Sequence, residues 1–269
     1  MEQLFKVIGV MRFSVLTPTY YSERFDSLEE IAAHIYSDAR MKLRFHIFEN
    51  LVLPSLVNQS DPDFDLVILS GEAMPDKHKN HLLALVEPHA NLHVQFVDTE
   101  NHYQLLKSGF NSIPLDGAEN RLMFRLDDDD ALGLKYIERL KAIAEGLMGM
   151  MGPDVAQVIA FNRGFHVRID DEGENEVFDT CERAPLSVGM ALLAPKESPI
   201  NPYRYNHRYS AQHFNTYSDI AVPMYIRTIH GDNKSNPAQM GLSHKLPMKR
   251  IIRQLKRNFA TDLDALMEL

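Results

Sequence analysis

The sequence predicts an α/β fold in which a mostly parallel central sheet is flanked by helices and continues into an antiparallel extension. In the first half of the chain, strand-like and helix-like segments alternate, as they do in parallel sheets. In the second half, strand-like segments follow one another with turn signals between them, which indicates antiparallel pairing. No linker-like stretch divides the 269 residues, so we expect one substantial core.

The elements of the first half are predicted from their apolar patterns. Phe13 to Thr17 is a compact apolar run that ends at Pro18, which is typical of a buried strand followed by a loop. Pro54 is expected to bend or end the first crossover helix. The predicted elements are a strand at 13–17, a helix at 41–57, a strand at 64–71, a helix at 76–86 and a strand at 92–97.

The second half is predicted in the same way. Residues 170–173, two aspartates followed by Glu-Gly, are expected to form a hairpin turn. The predicted elements are a strand at 120–126, a helix at 133–150, strands at 155–161 and 165–169, and a strand at 187–194. From Pro247 onward, apolar residues at helical spacing alternate with basic ones. We therefore expect one domain at 1–240 and a basic amphipathic helical tail at 241–269.

Composition excludes several classes of protein. The chain is 45% hydrophobic and 24% charged, as in globular proteins, and its apolar runs are shorter than the roughly 20 residues of a membrane span. The net charge of -9 argues against a nucleic-acid binder. Cys181 is the single cysteine, and the segment from Met1 to Met11 lacks the features of a secretory leader. These two points predict a cytoplasmic protein.

Four consecutive aspartates, at 127–130, follow the strand at 120–126 and precede a helix. Open α/β sheets bind ligands at this position, beyond the carboxyl ends of their strands. Carboxylates this close repel one another and lose hydration when buried, so the site needs a cation or open water. The sequence therefore predicts a divalent metal ion that holds a phosphorylated substrate.

The aspartate run allows other interpretations. One aspartate is expected to cap the following helix, but capping needs only one or two acids. An EF-hand calcium loop is excluded in both possible registers. If the loop begins at Asp127, its required glycine falls on Leu132, and if it begins at Asp128, its final glutamate falls on Arg139. A phosphatase with an aspartyl nucleophile remains an alternative, although its Asp-x-Asp motif usually opens the domain. The favoured interpretation is that Asp127 and Asp129 hold Mg²⁺ or Mn²⁺ against a diphosphate, with Asp130 adjacent.

Landmarks over most of the chain accompany the aspartates. They make the chain resemble nucleotide-sugar glycosyltransferases of the GT-A type, and more closely a bacterial family of the broad family-2 group named putative rhamnosyltransferase. The landmarks are Phe13-Ser14-Val15, Arg44 to Glu49, Leu53 to Leu56, Gln59 to Phe64, Phe124 to Leu132 and His230-Gly231-Asp232-Asn233.

The resemblance implies a Rossmann-like fold, a nucleotide-diphosphate sugar donor and a divalent metal ion, Mn²⁺ or Mg²⁺. By the same resemblance, Asp127 contacts the nucleotide ribose or a metal-bound water, and Asp129 is the direct metal ligand. Asp130 is a second ligand or an orienting group. His230 stands where several GT-A enzymes have a late histidine ligand.

The loop after the first strand is where related enzymes hold the base and ribose. Thr17 and Tyr20 are therefore expected to contact the nucleotide, with Tyr21 as an alternative for stacking on the base. Arg44 and Arg125 are expected to counter the diphosphate, because guanidinium groups pair well with phosphate oxygens. Arg121 was considered for the same role.

Inverting transfer needs a base that deprotonates the acceptor hydroxyl. The Glu-Asp pair of the broader group is absent after Pro195, and Asp219 is the predicted base. Asp232, His207 and His213 remain alternatives.

The predicted function is metal-dependent transfer of a sugar from a nucleotide-diphosphate donor to a glycan or a lipid-linked acceptor. A metal-dependent phosphohydrolase and a non-catalytic nucleotide- or sugar-binding module are the alternatives. The basic tail predicts either peripheral contact with an anionic membrane or a helix docked on the domain.

Overall fold

The computed structural model of the chain describes residues 4–170, 174–231, 241–243 and 246–269. Within these ranges the chain forms two β-sheets with helices packed against them. The strands are β1 (Phe5–Phe13), β2 (Asp65–Gly71), β3 (Leu92–Val97), β4 (Asn120–Asp127), β5 (Asp130–Leu132), β6 (Gln157–Phe161), β7 (Arg163–Arg168), β8 (Glu176–Glu182), β9 (Ala191–Pro195), β10 (Asn215–Asp219), β11 (Tyr225–Ile229) and β12 (Gly241–Ser243). The helices are α1 (Leu28–Ile35), α2 (Asp38–Ile47), α3 (Leu53–Val57), α4 (Asp76–Val86), α5 (His102–Asn111), α6 (Tyr136–Met151), α7 (Met248–Asn258) and α8 (Leu263–Met267).

The larger sheet has seven strands in the order β10-β6-β9-β4-β1-β2-β3. β1 lies inside this sheet, between β4 and β2, and runs parallel to both. β9 runs antiparallel to its two neighbours, β4 and β6, whereas β10 is parallel to β6. The predicted fold class is therefore confirmed: a mostly parallel sheet, flanked by helices, with an antiparallel extension.

The smaller sheet has five strands in the order β12-β8-β7-β11-β5. β11 is parallel to β7 and antiparallel to β5. β4 of the larger sheet ends at Asp127, and β5 of the smaller sheet begins at Asp130. The aspartate run is thus the segment that joins the two sheets.

The first strand lies earlier in the chain than predicted. β1 covers Phe5–Phe13, so the prediction of a strand at 13–17 is wrong. Both faces of β1 are buried, and the strand ends where Ser14 adopts a φ of 51°. A residue in this left-handed region turns the chain out of the extended conformation. The loop that follows consequently begins directly at the edge of the sheet.

The predicted helix at 41–57 is confirmed and is longer at its start. It consists of α2, a π-helical turn at Phe48–Val52, and α3. Pro54 is the second residue of α3, and the helix ends three residues later, at Val57, near the position predicted. The π-helical turn lies directly before it, and a proline inside a helix removes one backbone hydrogen bond.

The strands of the second half pair differently from the prediction. The strand predicted at 165–169 is β7, and its antiparallel partner is β8. β6, which corresponds to the strand predicted at 155–161, belongs to the larger sheet. Of the predicted hairpin turn, residues 171–173 lie outside the described part of the chain. The strand predicted at 187–194 is the shorter β9, and it follows Gly189, whose φ of 65° interrupts the extended chain.

The C-terminal segment packs into the same core as the rest of the chain. Ile251, Leu255 and Phe259 are buried, and the ring centroid of Phe259 lies 5.8 Å from that of Phe165 in β7. The apolar stripe that predicted a tail helix at 241–269 is therefore used for docking on the domain, and the basic side chains of α7 face outward. Among the described residues, no helix combines the length and apolar character that a membrane crossing requires.

Candidate active site

A cavity of about 480 Å³ opens at the carboxyl ends of β1 and β4. Open α/β sheets bind their ligands at this edge. Its wall includes all four aspartates of the run. The other lining residues are Arg12, Ser14, Val15, Thr17, Tyr20, Tyr21, Ile35, Arg40, Arg44, His102, Arg125, Ser187, Asn206, His207 and Arg227.

Arg44 is the cation that lies closest to the middle of the aspartate run. Its Nη1 donates hydrogen bonds to Asp128 Oδ1 at 3.0 Å and to Asp129 Oδ2 at 2.7 Å, and all three side chains are buried. Burial raises the pKa of Asp128, against the effect of Arg44. Burial also acts to raise the pKa of Asp129, but Arg44 and His230 outweigh it and lower that pKa well below the ordinary value. Asp129 is therefore ionised at neutral pH.

Arg12 provides a second cation, at the start of the run. The parallel register of β1 and β4 places it beside Asp127, and its Nη2 donates to Asp127 Oδ1. Its Nη1 lies 2.9 Å from His102 Nε2. Burial acts to raise the pKa of Asp127, but Arg12 and Arg125 outweigh it and lower the pKa.

Aromatic rings form the wall next to these charges. The guanidinium of Arg12 lies 5.1 Å from the ring centroid of Tyr20, and Tyr20 stacks on His102 with ring centroids 5.9 Å apart. Thr17 Oγ1 accepts a hydrogen bond of 3.1 Å from the backbone N–H of Tyr20 and so fixes this loop. Arg125 lies 4.1 Å from the ring centroid of Tyr203. The cavity thus offers stacking surfaces beside cationic groups.

Arginines accompany the aspartates around the cavity. Five of them, at positions 12, 40, 44, 125 and 227, line it together with the four aspartates. The sequence indicated a metal ion as the cation beside the aspartates, and the structure adds these arginine side chains as cations at the same place. The cavity carries more arginines than aspartates and so suits an anionic ligand.

The last aspartates of the run and the neighbouring His230 are the residues that could hold a divalent ion. His230 is buried, and its Nε2 lies 3.0 Å from Asp129 Oδ2, which is about the separation of two adjacent ligands on one octahedral ion. Asp128 Oδ2 is buried without a hydrogen-bond partner, and burial and Asp129 raise the pKa of Asp130 well above its ordinary value. Among the described residues, no three His, Cys, Asp or Glu side chains are grouped as metal ligands. The residues fit an ion held by one or two protein ligands and completed by substrate phosphates.

The predicted base, Asp219, lies elsewhere. It ends β10, is buried, and accepts hydrogen bonds from Arg139 Nε and, at 2.8 Å, from the backbone N–H of Ala221. It does not line the cavity, whereas the alternative His207 does. Burial and nearby arginines lower the pKa of His207 to about 3, so its imidazole is neutral at physiological pH.

The structure brings the remaining predicted site residues together. Thr17, Tyr20, Arg44, Arg125 and the aspartates line the cavity, and His230 contacts Asp129. Arg121, considered as a partner for the diphosphate, points to Asn111 at the other end of β4, with Nη1 2.6 Å from Asn111 Oδ1.

Several residues of the site were not predicted, among them Arg12, Arg40, His102, Tyr203 and Arg227. The signal for Arg12 was available, because it is the next-to-last residue of a strand that runs parallel to the aspartate strand. It was missed because the first strand was placed too late in the chain. Tyr203 approaches the site from a distant loop, with its hydroxyl donating to Val10 O at 3.1 Å, and no local pattern indicates this contact.

Solved structures resemble the chain only distantly. The structure of residues 1–349 of S. aureus TarS in complex with UDP is 13% identical, with a TM-score of 0.46, and the match covers 84% of this chain and 61% of that one. The same fragment in complex with UDP-GlcNAc is 13% identical, with a TM-score of 0.46 and coverage of 94% and 65%. A structure described as a putative glucose-1-phosphate thymidylyltransferase from Bacillus anthracis is 10% identical, with a TM-score of 0.34 and coverage of 79% and 87%.

The chain thus spans less than two thirds of the TarS fragment. A likeness this distant does not bear on function. No curated protein matches the chain. The sequence profile of the family described as "Putative rhamnosyl transferase" matches residues 6–242, a span that includes β1, the aspartate run and His230. The chain belongs to this family.

Proposed function

We propose that the protein is a glycosyltransferase that binds a nucleotide-diphosphate sugar in the cavity around the aspartate run and transfers the sugar to a glycan or a lipid-linked acceptor. The observation that carries the proposal is the composition of the cavity wall, in which arginines surround the aspartates next to stacked aromatic rings. A nucleotide diphosphate combines the two matching parts, an anionic diphosphate and a flat base. Membership of the family supports the transfer of a sugar, and its description names rhamnose.

Each part of the donor has candidate partners in the cavity. Arg44 and Arg125 counter the diphosphate, since guanidinium groups bind phosphate oxygens in paired hydrogen bonds. Thr17 and Tyr20 hold the nucleoside, and Tyr20 provides the ring for stacking on the base. Asp127, fixed by Arg12, orients the ribose or a water molecule.

Asp129 and His230 are the residues that would hold a divalent ion, Mn²⁺ or Mg²⁺, with Asp130 as a further ligand or orienting group. Such an ion would offset the negative charge that develops on the leaving diphosphate. Arg44 contributes to the same end from the protein side. It keeps Asp129 ionised and lies within reach of any phosphate that approaches this carboxylate.

Transfer with inversion requires a base at the acceptor hydroxyl, and the candidates are Asp219, His207, His213 and Asp232, of which Asp232 lies outside the described residues. Asp219 is the residue that the sequence predicts, and it forms an ion pair with Arg139. His207 lies in the cavity wall and has a neutral imidazole, but its low pKa makes it a weak base. Variants described in the Discussion separate Asp219 from His207.

We place the reaction in the cytoplasm, where nucleotide sugars would be available to the cavity. Peripheral contact with an anionic membrane is proposed through the outward basic face of α7. Its apolar side chains are engaged with the domain, so this contact would be electrostatic.

A thermal-shift panel tests the proposal. UDP, GDP, dTDP and CDP would each be added with Mn²⁺ and with EDTA, since a ligand that binds the native state raises the melting temperature. We expect one nucleotide to raise it, with a larger shift in Mn²⁺ and a loss of that shift in Asp129→Asn. Asp63→Asn, at an exposed aspartate, is the matched control and should keep the shift.

The alternatives make different predictions in the same experiment. The absence of a shift with every nucleotide would refute donor binding. Release of phosphate from simple esters would favour a phosphohydrolase, and binding of a nucleotide sugar without transfer or hydrolysis would favour a non-catalytic module.

A further inference from the structure

A second cavity, of about 580 Å³, lies between α6 and α7 on the side of the molecule where the smaller sheet meets the C-terminal helix. It shares no lining residue with the aspartate cavity. Its cationic lining residues are Lys135 and Arg139 from the start of α6 and Arg253 and Arg257 from α7; Glu138 is its one acidic lining residue. A strongly basic cavity is unusual for a chain whose net charge is -9.

Arg253 and Arg257 of α7, the two arginines of this helix that line the cavity, have no hydrogen-bond or ion-pair partner among the described residues. They stand four residues apart and therefore on the same face of the helix. Both are exposed and both line the cavity. Two guanidinium groups on one face provide the paired donors that recognise phosphate.

Arg139 is held so that it adds to this pair. Its Nε donates to the buried carboxylate of Asp219, and this bond leaves its two terminal nitrogens outside the ion pair. The carboxylate is in turn fixed by the backbone N–H of Ala221, a lining residue. Asp219 thus positions a guanidinium at the wall of the second cavity.

The second cavity is connected to the aspartate cavity by two paired strands. Asp130 of β5 pairs in register with Arg227 of β11, and both line the aspartate cavity. At the other end of the same strands, Lys135 and Met224 line the second cavity. Five residues from Asp130 to Lys135 span at most about 17 Å. A ligand anchored in the second cavity is therefore close enough to reach toward the first.

We propose that this basic cavity is a second anion site, which binds a phosphate group through Arg253, Arg257 and Arg139 independently of the aspartate cavity. The phosphate belongs either to a lipid headgroup or to a soluble phosphorylated molecule. Ile220, which is 54% exposed and adjacent to the lining residue Ala221, adds an apolar side chain near the opening.

Calorimetric titration with inorganic pyrophosphate in EDTA tests the site without metal or nucleotide. We expect binding that weakens about tenfold or more in the double variant Arg253→Gln/Arg257→Gln. The matched control is Lys249→Gln/Lys256→Gln, which removes the same charge from exposed positions of the same helix that do not line the cavity. This control should keep the wild-type affinity.

Absence of pyrophosphate binding, or an equal loss in the two double variants, would overturn the proposal, because diffuse charge would then explain the result. The source of the phosphate is resolved with vesicles of phosphatidylcholine alone or mixed with phosphatidylglycerol. Sedimentation with the mixed vesicles that is lost only in Arg253→Gln/Arg257→Gln assigns the site to a lipid headgroup. Pyrophosphate binding without such sedimentation assigns it to a soluble phosphate. The thermal-shift panel with nucleotides, applied to the same variants, tests nucleotide binding in the aspartate cavity separately.

Discussion

Arg44 and Asp129 form the closest charge contact at the centre of the aspartate run, with Nη1 of the arginine 2.7 Å from Oδ2 of the aspartate. The same nitrogen also donates to Asp128 at 3.0 Å. One buried guanidinium therefore serves two buried carboxylates and stabilises both in the fold.

Replacing Arg44 by methionine should lower the free energy of unfolding by about 3–5 kcal/mol, because it leaves buried carboxylates without their partner. Lys42→Met, at an exposed position of the same helix, should change it by less than about 0.5 kcal/mol. Urea denaturation measures both. If the site binds a divalent ion, Mn²⁺ should stabilise Arg44→Met more than the wild type. Equal stability of the two variants would contradict the structural role of Arg44.

Because His166 is buried, we expect the free energy of unfolding to fall in acid. Burial and Arg227 lower its pKa to about 3, although Glu182 Oε1 lies 3.7 Å from its Nε2, so the imidazole is neutral in the folded protein. The unfolded chain binds a proton at this residue below about pH 6.5. Between these two pKa values the unfolded state holds more protons, and stability therefore falls as the pH falls.

The variant His166→Gln should reduce the slope of unfolding free energy against pH between pH 6 and pH 4, by up to about 1.4 kcal/mol per pH unit. His89→Gln, near the end of α4, is the matched control and should leave the slope closer to that of the wild type. Denaturation at several pH values measures this. A slope unchanged by His166→Gln would show that this residue is not neutral in the folded state.

Two glycines should respond in opposite directions to alanine. A Cβ at Gly164 in β7 would collide with the backbone oxygen and the ring of Tyr225, whereas a Cβ at Gly146 in α6 would meet nothing within 4 Å. Gly164→Ala should destabilise the protein by about 1–3 kcal/mol, through overpacking. Gly146→Ala should stabilise it by up to about 1 kcal/mol, because alanine favours the helix. Thermal and urea denaturation check both signs; a neutral Gly164→Ala would mean that β7 and β11 can separate.

The acceptor base is tested by Asp219→Asn and His207→Gln. If Asp219 is the base, its variant should lose about a hundredfold or more in kcat with little change in donor binding. If Asp219 only positions Arg139, the variant should keep kcat while losing pyrophosphate binding at the second cavity. His207→Gln tests the alternative base, which lies in the wall of the aspartate cavity. A loss of kcat in His207→Gln alone would transfer the role of base to His207.

The parts of the fold that were predicted correctly have strong local patterns. α4 and β3 have the predicted bounds, since a helix with clear ends and an alternating strand are specified by adjacent residues. α1 and α5 were not predicted. β1 was misplaced because its buried residues are interrupted by Lys6, Gly9 and Arg12, which pair or pack only across the assembled sheet.

For the site, the sequence indicated the aspartates and several of their neighbours but not the pairing among them. Which arginine neutralises which aspartate depends on strand register and on the approach of α2, and neither is a local property. Asp219 shows the same limit. It has the residue type and chain position of a base, but the fold turns it toward α6.

The aspartate run belongs to both sheets at once, because Asp127 is the last residue of β4 and Asp130 is the first of β5. A slip of one sheet against the other by a single residue would change the distance between these carboxylates by about 3.3 Å. Ala131, paired with Ile226 in the core of the smaller sheet, is therefore a position from which packing sets the spacing of the charged groups. The geometry of the charged cluster is therefore a readout of how the two sheets are aligned within one core.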